Sequence, residues 1–131
     1  MDWVVIDGKA YDVIVADVER NFNILYTENT GRSLAPGAPL ILDPLGTFYG
    51  HKITFVRRSG KESEFDALWD KLSAPTVIGV SLRVVYNQSV LQYDAYVSNG
   101  TQKLNHIGRD GTVYWDAFQA NFIPIKAQVI P

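Results

Sequence analysis

One stretch of this chain, SGKESEFDALWDKLSAP (59–75), spaces its apolar residues for a helix. Every other apolar run is short, β-branched or aromatic, and bounded by turn residues. Phe65, Leu68, Trp69 and Leu72 stand at i, i+3, i+4 and i+7, a single stripe on a 3.6-residue period. Ser59 with Glu62 three residues on reads as a capping box, and acidic residues crowd the first turns, where the helix dipole favours them. Lys71 falls in the last turn and Pro75 stops the helix. A chain with one central helix, at about residues 60–72, must build the rest of its core from strands.

The strand signals come in short runs. WVVI and YDVIV, joined by Asp7-Gly8-Lys9, predict an opening hairpin. The second run continues as VADVERNFNIL, with Val13, Val15, Phe22 and Leu25 facing inward and a bulge or bend where the period slips at 16–19. TFYGHKITFVRR, with Phe48, Ile53 and Phe55 among polar residues, suits a half-buried strand. After the helix come TVIGVSLRVVY and VLQYDAYVS, separated by a loop at Asn87-Gln88-Ser89, and then TVYWDAFQANFIPI, with Pro124 near an edge. GTQKLNHIGRDGT reads as turns around a short irregular strand. The sum is a mostly β fold: an antiparallel β-sandwich or barrel of about seven strands, with the helix packed against one opening. At 131 residues and 47% hydrophobic, the chain suffices for one domain, 1–131, with its own core.

Charge and cysteine usage exclude several classes. Acidic and basic residues are interspersed to a net charge of −2, which argues against a surface for sequence-specific nucleic-acid binding. Cysteine is absent, so neither disulfides nor thiolate metal sites hold the fold. Asp2 and Asp7 interrupt the first apolar run too early for a signal peptide, and no stretch reaches the roughly 18 uncharged apolar residues of a membrane span. The expectation is a chain made in the cytoplasm, with no membrane partner.

Catalytic constellations are weak. His51 and His106 are the only histidines, neither has an acidic residue at helical spacing, and both read as exposed strand or loop residues. No serine sits in a nucleophile elbow. Glu62, Asp66 and Asp70 share one helix face, a solvated row rather than two carboxyls across a cleft. GRDG (108–111) lacks the strand-to-helix context of a phosphate cradle and reads as a tight turn. The expectation is no enzyme, no metal and no cofactor. The aromatics (Trp3, Phe48, Tyr49, Trp69, Tyr86, Tyr93, Tyr96, Tyr114, Trp115, Phe118, Phe122) are mostly core, with a sugar-binding platform as the alternative. Tyr93 and Tyr96, three apart on one strand, face opposite ways.

The segment TENTGRSLAPGAPLILDPLGTFYG (27–50) fits neither a tidy turn nor a strand. Arg20 and Arg32 bracket its polar start, and Leu34, Pro36, Leu40, Ile41, Leu42 and Leu45 follow in a non-periodic context. Leaving such side chains in water costs about 1.5–3 kcal/mol each relative to burial. Residues 27–46 therefore read as a long loop that either folds back as a lid or docks on a neighbouring chain as an assembly arm, with Arg32 and the six apolar residues as its contacts. A contact that adds one subunit's loop to the next is head-to-tail and closes into rings.

Spread over nearly the whole chain, WVVIDGKAYDVIV, VERNFNIL, NTGRSLAPG, LGTFYGHKITF, EFDALWDKLSAP, YDAYVSNGTQKL and YWDAFQANFIPI resemble, in order and spacing, the small tail-associated structural proteins of phages and prophages of Gram-positive bacteria. The resemblance implies a virion component of the tail, assembled in the host cytoplasm, with a tail-tube-like β-sandwich and flanking helix. It implies self-association into rings, hexameric in that architecture, and contacts with other tail proteins, without an active site. LAPGAPLILDP departs from the shorter, more basic pattern of those proteins. Two other readings compete. One is a carbohydrate-binding module at a tail tip, using exposed aromatics with Asn105 and Asp110. The other is a small hydrolase with His51 or His106 beside a carboxylate.

Overall fold

The computed structural model describes residues 4–28, 30–32 and 36–131. These form β1 (Val4–Ile6), β2 (Ile14–Tyr26), β3 (Gly31–Arg32), β4 (Leu40–Ile41), β5 (Pro44–Val56), α1 (Glu62–Ser73), β6 (Val80–Tyr86), β7 (Ser89–Tyr96), β8 (Leu104–Ile107), β9 (Val113–Trp115) and β10 (Phe118–Pro124). The fold is mostly β and antiparallel, with one helix, as expected. Six strands make one sheet in the order β1-β6-β7-β10-β5-β2, while β3-β4 and β8-β9 are two-stranded ribbons. The two ribbons bring the described strands to ten rather than about seven. The sheet stays open, with β1 and β2 at its edges, so the arrangement is sandwich-like and not a closed barrel.

β10 joins the two parts of the sheet. Its residues 118–122 pair with β5, and Ile123 and Pro124 pair with β7. Side chains alternate across each strand, so Phe118, Ala120 and Phe122 enter the core with Ile53 and Phe55 of β5, Leu82 and Val84 of β6, and Tyr93 and Ala95 of β7. Tyr96 takes the opposite, exposed face. The helix covers this core with Phe65 and Leu68, both buried, and Trp69 meets Phe118 edge-on at 5.3 Å.

The helix starts later than its capping signal. Ser59 does not cap it: the N-cap is Lys61, which makes no side-chain capping bond. The backbone turns first, with Lys61 N donating to Arg58 O at 2.9 Å and Gly60 at φ +79°, and this moves the helix entrance two residues past Ser59. The C-terminal end follows the sequence: Ala74 is extended and Pro75 follows.

The opening hairpin forms only its turn. Asp7 and Gly8 have φ of +49° and +80°, the positive values a two-residue type I′ turn requires, and Ile6 bridges Lys9. Pairing stops there. β1 runs along β6, with Val4 opposite Val84, and the following run crosses to β5, with Ile14 opposite Val56. Asp7 anchors the diversion. Its Oδ1 accepts from Ser81 N at 2.6 Å, its N–H donates to Ser81 O at 2.8 Å, and its Oδ2 meets Lys71 Nζ at 2.6 Å. At the other predicted hairpin, Tyr86 pairs with Ser89 around Asn87 and Gln88. The start of TVIGVSLRVVY is not strand: Val77 and Ile78 stand exposed in the turn before β6.

Candidate assembly surface

β2 and β5 are one long ribbon, each 13 residues. At about 3.3 Å per residue such a strand runs roughly 43 Å. A compact domain of this length has a radius of gyration of about 14 Å, which for a sphere is about 36 Å across. The ribbon therefore outruns the core that supports its base.

At the base the expected bulge is present: the register shifts between Val15 and Asp17. Beyond it, Val18 lies opposite Ile53, Arg20 opposite His51, Phe22 opposite Tyr49 and Ile24 opposite Thr47, and opposed residues share a face. The core ends at Arg20. Its Nη1 donates to Asn87 Oδ1 at 2.7 Å, its guanidinium lies 5.7 Å from the Tyr86 ring centre, and Tyr86 meets Tyr49 edge-on at 5.5 Å. The β6–β7 turn is thereby fastened to the ribbon.

His51 is a correction at this base. It is fully buried rather than exposed, with Nδ1 2.7 Å from the Tyr93 hydroxyl. Its Nε2 is the one buried side-chain polar atom without a hydrogen-bond partner among the described residues. Burial, reinforced by the nearby Arg20 charge, lowers its pKa to about 4. His106 is exposed, stacked on Tyr114 at 4.5 Å and bonded to Asn105. Among the described residues no three His, Asp or Glu side chains gather as a metal site would need. On the helix row, Asp66 has a raised pKa, from partial burial and then from the charges of Asp70 and Glu62.

Past Arg20 the side chains of β2 are exposed on both faces, while Thr47 to Tyr49 of β5 are half-buried. Phe22 and Leu25, expected inside, are 68% and 40% exposed, and Ile24 and Tyr26 are also exposed. Val15, likewise expected inside, is part-exposed, whereas Val13 is buried. β2 is an edge strand, so from Asn21 to Tyr26 (NFNILY) one row of backbone groups faces no strand among the described residues, and neither a proline nor a charged residue interrupts the run. Natural sheets usually blunt such an edge, because it is a template for another strand.

The segment 27–50 divides in two. Residues 44–50 are the outer half of β5: 47–50 are strand as expected, and 44–46, expected as the end of the loop, are strand too. The tip is closed by Thr27 N donating to Asp43 O at 2.8 Å, the Thr27 hydroxyl donating to Asp43 Oδ2 at 2.6 Å, and Asp43 N donating to Thr30 Oγ1 at 2.9 Å. Beyond it Gly31 and Arg32 pair with Ile41 and Leu40. Arg32 Nη1 donates to Ala38 O at 3.4 Å, and Arg32 and Pro36 are exposed. Leu40, Ile41, Leu42 and Leu45 are 48%, 54%, 56% and 55% exposed. The structure thus gathers six of the seven expected contact residues at the outer end of one arm. Leu34 lies outside the described residues. Sequence reasoning missed Phe22, Ile24, Leu25 and Tyr26, and the available signal was an uncharged run continuing past any length the core could cover.

The aromatics divide between core and surface. Tyr93, Phe118 and Phe122 are buried, Trp69 packs on Phe118, Tyr49 and Tyr86 pair edge-on, and Trp3 is outside the described residues. Compared with known proteins, the chain matches no protein-family model, and no curated sequence is significantly similar to it.

Proposed function

We propose that this chain is a structural subunit of a phage or prophage tail that self-associates into rings through the β2–β5 arm, its role being assembly rather than catalysis. The observation that carries the reading is the outer half of β2: an uncharged, unpaired edge of six residues, four of them exposed and apolar, continuous with the apolar tip at Leu40–Ile41. An arm of this kind costs free energy while it stands in water and gains backbone bonds from any strand placed beside it. Because the donor arm and its receiving surface differ, copies join head to tail, which permits ring closure. The resemblance of the ordered segments to tail proteins supplies the biological setting of the proposal.

The test is a charge placed on the edge. Phe22→Lys replaces a side chain that is 68% exposed and Ile24→Lys one that is 38% exposed, so the folded monomer should keep its melting temperature within a few degrees. Multimers should be lost. Unchanged assembly by both variants rules out the β2 edge as the contact.

A further inference from the structure

The two sides of the arm are not equivalent. Among the described residues β2 has no strand on its outer edge, whereas β5 has a partner on its far edge. Along residues 46–49 the far edge of β5 is occupied by a segment from the end of the chain. Thr47 N donates to Val129 O at 2.8 Å, and Gln128 N donates to Thr47 O at 3.0 Å. At the next edge position a side chain stands in for backbone: Gln128 Oε1 accepts from Tyr49 N and Gln128 Nε2 donates to Tyr49 O, both at 3.0 Å. Gly46, at φ +152°, lets the segment lie close, since a Cβ there would sit 2.7 Å from both Ala127 Cβ and Val129 O.

This segment fills the place of a strand with little to hold it. It makes a single bridge, at Thr47–Val129, and borrows an amide side chain for the rest. It buries little apolar surface of its own: Val129 is part-exposed and Ile130 is 76% exposed. Short, exposed, weakly buried pairings open at small free-energy cost.

Resting on the arm-based association proposed above, we propose that residues 127–130 are a displaceable cap held in cis on the β5 edge, which yields that edge to the bare β2 edge of a second copy. The in-cis occupant demonstrates that the edge accepts strand-like hydrogen bonding. The incoming run, Asn21 to Tyr26, and the receiving run, Pro44 to Gly50, are both uncharged, so no like charges meet. One exchange uses β2 of one copy and β5 of the next. Each subunit thus offers one donor edge and one receiver edge, and the cap sets when the receiver opens.

The experiment compares four forms of the chain by light scattering across a concentration series, with near-ultraviolet circular dichroism as the check on folding. They are the unaltered chain, the chain lacking 127–131, Gln128→Ala, and the double variant Thr47→Cys/Val129→Cys. The chain has no other cysteine, so oxidation of the double variant clamps the cap alone. Removing the cap, or its two side-chain bonds, should lower the concentration needed for half-assembly by about tenfold or more. The oxidised clamp should assemble least and recover on reduction. Gln128→Ala carries the test if the deletion alters the dichroism. Equal assembly by all forms overturns the cap and leaves the arm reading standing. Assembly by the unaltered chain that is lost on deletion also overturns it, because the segment is then part of the contact. Monomers in every form, the deletion included, overturn both.

Discussion

The Nδ1 of His51 and the hydroxyl of Tyr93 lie 2.7 Å apart, inside a core where no water-exposed surface touches the imidazole. The pair sits at the point where the ribbon leaves the sheet, with Arg20 opposite His51 on the neighbouring strand. Ring and hydroxyl satisfy one another, and the remaining Nε2 has no hydrogen-bond partner among the described residues. The neutral imidazole is the form this site accepts.

That preference gives a pH dependence with a definite sign. His51 has a folded pKa of about 4 against an ordinary value near 6.5. Above pH 6.5 it is neutral in both states and stability is full. As pH falls from 6.5 towards 4 the unfolded chain takes up the proton first, so stability falls across that window, by roughly 2–3 kcal/mol. Urea unfolding of the unaltered chain and of His51→Gln, at pH 7 and pH 4.5, should show a larger acid loss in the unaltered chain. Equal losses contradict the assignment.

A second prediction concerns the helix entrance. Lys61 occupies the N-cap without a side-chain oxygen to offer the first-turn N–H groups. Lys61→Ser supplies one at the cost of a 3.8 Å contact to Asp12 between exposed side chains, which contributes little. The variant should be more stable by about 0.5–1 kcal/mol, a rise in melting temperature of a few degrees. A lower melting temperature contradicts the cap geometry.

The same region shows what was legible in the sequence. The stripe Phe65, Leu68, Trp69 and Leu72 located the helix because period alone fixes which side chains share a face. The cap was misplaced because a backbone turn, 58–61, came between signal and helix, and nothing local distinguishes the two starts. The type I′ turn at Asp7-Gly8 was legible from its residues. Its failure to continue as a hairpin was not, since Ser81 and Lys71, which divert it, lie over 60 residues away. Phe22 was assigned inward by alternation, which gives the side of a strand but not how far the core extends beneath it. His51 looked exposed for the same reason: its partner Tyr93 is 42 residues distant.

The Asp7 anchor makes a third prediction. Lys71 and the Ser81 amide hold its carboxylate pKa below the ordinary value. The sign is that of a depressed acid: its contribution is present above the ordinary carboxylate range and disappears as pH falls through the folded value. Asp7→Asn keeps a side chain tolerant of the positive φ while removing the charge. It should destabilise the fold by about 1 kcal/mol at pH 7. A melting temperature unchanged from the unaltered chain at low salt contradicts the anchor.

A fourth prediction isolates the tip. Residues 36–42 lie beyond the Thr27–Asp43 closure and outside the core. Replacing them with a short glycine-serine turn should leave the near-ultraviolet spectrum intact and abolish multimers. A replacement that still assembles removes the tip from the contact and leaves the β2 edge alone to account for it.

The most direct test of the central claim is the mass of the unaltered chain by light scattering during size-exclusion chromatography, over a wide concentration range, with negative-stain imaging of the largest species. The arm account predicts a mass that rises with concentration to a discrete multimer, seen as rings. A strict monomer at every concentration, in the unaltered chain and in the chain freed of residues 127–131 alike, contradicts it.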